Sequence, residues 1–189
     1  MTKIIFVFIL STCMVNTFKK PIIPVNDNLR LKALRYYDIL NELPDRYFSN
    51  LAQIIARAFN SEIALISLVD EKDVYFKGNH GMNGTNKVDR GKSLCSLAVL
   101  DPEPTIFNDA LKEPCLLSNP LVIGDFGLRF YAGAPIITRE GFNIGTVCIV
   151  GKEPRNFTEQ EKDLLVLFAK NAMVELESRR EIKNSFTNQ

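Results

Sequence analysis

Apolar positions along the chain change period several times, and each change marks an element. Leu31, Leu34 and Ile39 fall near one helical face, which predicts a helix from Asn28, a capping residue type, through Leu40. Leu43-Pro44-Asp45 breaks it, and Phe48, Leu51, Ile55 and Phe59 predict a second helix over Asp45–Asn60. Ile63–Val69 is almost continuously apolar, as expected of a strand covered on both faces, and Asp70–Asp73 turns it into a second strand at Val74–Lys77. Gly78–Lys92, with glycines at 78, 81, 84 and 91, reads as one long polar loop.

Further on, Ser93–Leu100 predicts a short helix stopped by Asp101 and two prolines, and Thr105–Asn108 a short strand. Asp109–Gly127 reads as mostly loop. Arg129–Thr138 is a strand whose Pro135 implies an edge or a bulge, and Phe142–Val150 is its hairpin partner. Thr158 and Glu161 form a capping box opening a last helix to about Lys183, with Leu165, Phe168, Ala172 and Leu176 as its stripe. Helices before, between and after antiparallel hairpins predict an α+β fold with one antiparallel sheet.

Composition narrows the function classes. The chain of 189 residues fits one domain with tails, and 46% hydrophobic with 24% charged residues excludes a fully disordered chain. The net charge of +1 comes from interleaved acids and bases, so no basic cluster offers a nucleic-acid surface. Cys13, Cys95, Cys115 and Cys148 include no close pair of metal-ligand spacing, and the single His80 falls in the predicted loop, a poor support for a catalytic base. Residues 1–20 form an extension whose apolar run, Ile4–Leu10, is too short to span a bilayer. It reads either as residues upstream of a true start at Met14, with a cytoplasmic protein following, or as the signal of an exported lipoprotein ending at Cys13.

Seven strings in order carry a family resemblance: Leu31–Leu40, Ile63–Asp70, Ser93-Leu-Cys-Ser96, Phe107-Asn-Asp-Ala110, Asn119-Pro-Leu-Val122, Arg129–Pro135 and Ile144-Gly-Thr-Val-Cys148, with Phe157-Thr158 opening the last helix. They resemble bacterial GAF domains, with leucine at 94 where the pattern usually has phenylalanine. The resemblance runs over roughly 21–180 and leaves 181–189 as a tail. It implies five or six antiparallel strands, helices on both faces, and a pocket closed by the short helix and the long loops. It also implies a sensory or regulatory role in signal transduction without catalysis, through a small molecule or a separate signalling protein. With only short flanks outside the domain, the output partner is expected on another chain.

The expected ligand-binding residues are Cys95, Asp109, Phe126, Arg129, Tyr131 and Gly133. Cys95 is either a reactive thiol or a small buried hydrophobe, and Cys148 reads as core. Asp109 either accepts from a ligand or caps the next turn, and Arg129 either pairs with Asp109 or Asp125 or holds an anion. Tyr131 presents its hydroxyl to the pocket while Phe130 faces the other side of the sheet, and Gly133 allows close approach. No cofactor is indicated. Two alternatives stand beside the sensor. One is a pure interaction module, a homodimer through the terminal helices. The other is free methionine-R-sulfoxide reduction by Cys95 and Cys115, although the Gly-Val-Cys-Gly string of those GAF enzymes is absent.

Overall fold

The computed structural model describes residues 14–41, 46–82 and 84–187. Helix α1 (Asp27–Tyr36) and helix α2 (Arg46–Ala58) lead into strands β1 (Ile63–Val69), β2 (Asp73–His80) and β3 (Lys87–Asp89). Helix α3 (Cys95–Ala98), strand β4 (Thr105–Phe107), a 3-10 turn at Ala110–Lys112 and helix α4 (Pro120–Ile123) follow. Strands β5 (Phe130–Ile137) and β6 (Asn143–Gly151) and the long helix α5 (Glu159–Thr187) complete the fold. The strands form one six-stranded antiparallel sheet in the order β3-β2-β1-β6-β5-β4.

Alternation along the strands divides the interior into two cores. Ile66, Leu68, Phe130, Ala132, Ala134, Val147 and Ile149 face α1, α2 and α5. Leu65, Phe76, Tyr131, Cys148 and Val150 face the opposite way, beneath α3, the 3-10 turn and α4. Both faces of the central strands are covered, which is why β1 reads as an apolar run broken only at Ser67.

Several expectations are corrected. Helix α1 begins at Asp27 and ends at Tyr36, so Asn28 lies in its first turn and the chain turns away at Asp38 (φ 50°), ahead of Leu40. The break expected at Leu43-Pro44-Asp45 lies outside the described residues. The supposed loop from Gly78 is partly sheet: β2 continues to His80, and β3 pairs with its start. Gly78 belongs to the strand because α2 crosses it closely; a Cβ there would lie 2.3 Å from the Phe48 carbonyl oxygen. The segment 109–127 holds the 3-10 turn and α4, and Asn119-Pro120 is a cap-plus-proline start, with the Asn119 side chain accepting from Leu121 N–H. Pro135 sits inside β5 without disruption because β4 pairs only as far as Gly133, leaving Pro135 without a neighbour on that side.

The segment ahead of α1 is fastened down. Thr17 donates through N–H and hydroxyl to the Gly91 carbonyl (3.0 and 2.7 Å), and Phe18 and Ile22 are buried. Asn119 Nδ2 bridges the Thr17 hydroxyl and the Lys92 carbonyl (3.0 and 2.9 Å), holding this strap to the approach of α3. Deeper, the Asp27 carboxylate accepts from Arg30 Nε (2.6 Å) and from both terminal nitrogens of Arg90 (2.9 Å each). The two buried guanidiniums share this carboxylate and otherwise use the carbonyls of Val69, Asp70 and Ile22.

Candidate functional site

Between α3 and the sheet lies a small cavity lined by Leu65, Phe76, Leu94, Phe126 and Leu128 together with Cys95, Tyr131 and Cys148. Its walls are apolar except at Ser93, Tyr131 and the two cysteines; outside the lining, beside Cys95, two polar positions interrupt the apolar runs of the central strands. Ser67 on β1 and Thr146 on β6 stand opposite one another in register, two residues before Val69 and Cys148 on the same face. Their hydroxyls are 2.8 Å apart and both side chains are fully buried. Cys148 follows on β6, and Gly133 lies opposite it on β5.

Gly133 has no side chain for a specific reason. The Tyr131 ring folds along its own strand, and a Cβ at Gly133 would come within 2.3 Å of the Tyr131 hydroxyl. The missing methyl therefore admits the phenol to the floor of the cavity. The Tyr131 oxygen is buried beside Cys95, Cys148 and Thr146 but makes no hydrogen bond of good geometry to any of them. An unpaired buried hydroxyl is costly, typically about 1–3 kcal/mol. Burial first, then the two nearby thiols, push the phenol pKa well above its ordinary value.

Cys95, at the first position of α3, is 2% exposed and Cys148 is 0% exposed; their sulfurs are 3.8 Å apart. The hydrogen bond from Cys148 is the main influence lowering the Cys95 pKa, with burial opposing it and the hydroxyls of Ser67, Thr146 and Ser93 adding to it. Cys148 moves the opposite way, raised by the thiol contact and by burial.

The expected site residues therefore divide. Cys95, Phe126 and Tyr131 line the cavity, and Gly133 shapes it from below. Asp109 lies elsewhere: its side chain accepts from Leu111 N–H at the 3-10 turn and pairs with Lys112 at 3.3 Å. Arg129 donates to the carbonyls of Val122 and Leu128 (3.0 and 2.8 Å), so it braces the loop after α4 instead of pairing with Asp109 or Asp125. Cys115 is half-buried at the edge of the same core, while the sulfur facing Cys95 is that of Cys148. His80 ends β2, half-buried. Ser67, Thr146 and Cys148 were not among the expected site residues; their signal was the polar interruption of two otherwise apolar strands. Among the described residues, no group of three or more Cys, His, Asp or Glu is placed to hold a metal, and no helix is long and apolar enough to cross a membrane.

A six-stranded antiparallel sheet with this order, roofed on one face by a short helix over a small cavity, defines the fold class. The GAF domain family model matches residues 44–176, and the chain belongs to that family. The chain is 31% identical over 161 residues to a cyclic di-GMP phosphodiesterase of Pseudomonas aeruginosa, a match covering 85% of this chain and 27% of that protein. Solved structures share the fold. The GAF domain of a phosphoenolpyruvate-protein phosphotransferase from Coxiella burnetii matches at TM-score 0.61 and 21% identity, covering 82% of this chain and 96% of that one. Free methionine-R-sulfoxide reductase from Neisseria meningitidis matches at TM-score 0.60 and 16% identity, covering 90% and 99%.

Proposed function

We propose that this domain is a sensor that binds a small, largely apolar molecule in the cavity beneath α3 and passes the change to a signalling partner, without catalysis of its own. The observation that carries this reading is the unpartnered Tyr131 hydroxyl, buried in an otherwise apolar hollow. A ligand with one acceptor aimed at that hydroxyl would satisfy it. The cavity measures about 40 Å³, room for about one or two waters, against roughly 300–1,000 Å³ for the usual small-molecule site. Binding of anything larger requires opening. The half-buried Phe126, between Gly124 and Gly127, is the side chain best placed to swing out. The phosphodiesterase relative supports an output in cyclic-dinucleotide signalling.

Native mass spectrometry of the protein purified from its own cells tests this. The expected result is a retained small molecule whose affinity falls about 3- to 10-fold in Tyr131→Phe, the usual worth of one net hydrogen bond. Empty protein, with no metabolite pool raising its thermal stability, would overturn it.

A second reading rests on α5. Leu164, Leu167, Val174, Ile182 and Phe186 are exposed along α5, and Leu167 and Val174 lie opposite the buried Leu165, Ala169, Ala172 and Leu176. An apolar stripe along a helix already packed on its other side suits a homodimer interface. The reductase alternative would use Cys95 with Cys148 as its nearest thiol, in place of Cys115.

A further inference from the structure

Two cysteines from distant parts of the chain, 53 residues apart, meet across the floor of the cavity with their sulfurs 3.8 Å apart. Ordinary core cysteines are small hydrophobes among apolar neighbours. Here the surroundings are polar where the sulfurs lie: Ser67 and Thr146 form a hydroxyl pair on the adjoining strands, and Tyr131 brings an uncommitted O–H to the same place. The cavity beside them has room for about one or two waters and so admits a molecule the size of a hydroperoxide head group. We infer that Cys95 and Cys148 form a redox-active pair that hydroperoxides convert to a disulfide. This goes beyond the ligand-binding reading and does not depend on it.

The chemistry balances with the hydroperoxide as the sole oxidant. The Cys95 thiolate attacks one peroxide oxygen; the S–O bond forms as the O–O bond breaks, and the departing oxygen takes up the thiol proton as water or alcohol. Cys95 is left as a sulfenic acid. The Cys148 sulfur then attacks the Cys95 sulfur; the S–S bond forms, the S–O bond breaks, and hydroxide leaves with the Cys148 proton as water. Two thiols lose two electrons and one hydroperoxide gains them. Tyr131, which lines the cavity beside both thiols, would be the nearby donor for the departing oxygen. Closing the bond brings the sulfurs from 3.8 Å to about 2.05 Å. Cys148 sits in the central sheet, so the movement falls on α3. That helix is one turn long and carries the roof of the cavity, so oxidation would redraw its shape.

The test uses the full chain with Cys13→Ser and Cys115→Ser, leaving only this pair, folded and fully reduced, and titrated with hydrogen peroxide. The expected result is loss of both free thiols per equivalent consumed, an intact mass lower by two hydrogens, and a linked Cys95–Cys148 peptide restored by dithiothreitol. Adding Cys148→Ser is expected to stop the reaction at a Cys95 sulfenic acid that dimedone traps. Peptide mapping of the wild-type chain provides the same readout without substitutions. Persistence of both thiols at peroxide levels that oxidise Cys115 in the wild-type chain would overturn the inference. So would exclusive linkage of Cys95 to Cys115. Neither result bears on whether the cavity binds a metabolite.

Discussion

The contact between Tyr131 and Gly133 shows how one absent methyl shapes the candidate site. Gly133→Ala would put a Cβ 2.3 Å from the phenol oxygen. Overpacking of this kind costs about 1–3 kcal/mol, so the urea midpoint is expected to fall, with Tyr131 displaced from the cavity floor. Asp27 makes a second prediction. Burial raises its pKa, but hydrogen bonds from Arg90 and Arg30 and their charges outweigh this and hold it below the ordinary carboxylate value. The unfolded chain therefore takes up the proton first as the pH falls. The contribution of Asp27 is fully present above the ordinary value and is lost as pH drops through the depressed one. Asp27→Asn is expected to cost about 3–5 kcal/mol at neutral pH, since it strands two buried guanidiniums. Denaturant midpoints measured from roughly pH 6 down to pH 2 should show wild type and variant converging at the acid end.

At the scale of elements, the last helix was the most legible. Thr158 Oγ1 accepts from Glu161 N–H at 3.2 Å, and Glu161 Oε2 accepts from Thr158 N–H at 2.8 Å, the reciprocal pair the sequence pattern implies. Thr158→Ala is expected to lower stability by about 1 kcal/mol, measured by chemical denaturation. Strands β1 and β6 were equally readable because burial on both faces leaves a nearly continuous apolar run. Strand β3 was not, because its three residues, Lys87–Asp89, carry no alternation and form a strand only by pairing with β2. The same limit explains the site. Tyr131 was legible through strand alternation, but the meeting of Cys95 with Cys148 depends on how α3 docks, which no local pattern encodes. The reading of Asp109 and Arg129 stayed open between a ligand and a structural role because a charged side chain in a loop is equally suited to a ligand, a carboxylate or a carbonyl. The structure gives Asp109 a turn to cap and a lysine neighbour, and Arg129 the carbonyls.

For the whole molecule, the exposed stripe on α5 gives a direct prediction. If it joins two copies, Leu167→Glu with Val174→Glu should convert a dimer to a monomer in sedimentation velocity while leaving the circular dichroism spectrum unchanged. Association that survives both changes would assign the interface elsewhere. The order of the sheet has a different consequence. Its central pair joins β1 to β6, with Ser67 opposite Thr146. Their sequence separation is 79 residues, so the partners must find each other across a long stretch of chain, and the outer strands have only the central ones to build upon. Loop-closure entropy must therefore be met before the middle of the sheet gains anything, which favours folding in milliseconds to seconds. During synthesis, α1, α2 and the β1–β2 hairpin leave the ribosome well ahead of the strand that completes them. Until β6 arrives, the apolar edge of β1 is open, and this nascent interval is when the chain most needs a chaperone.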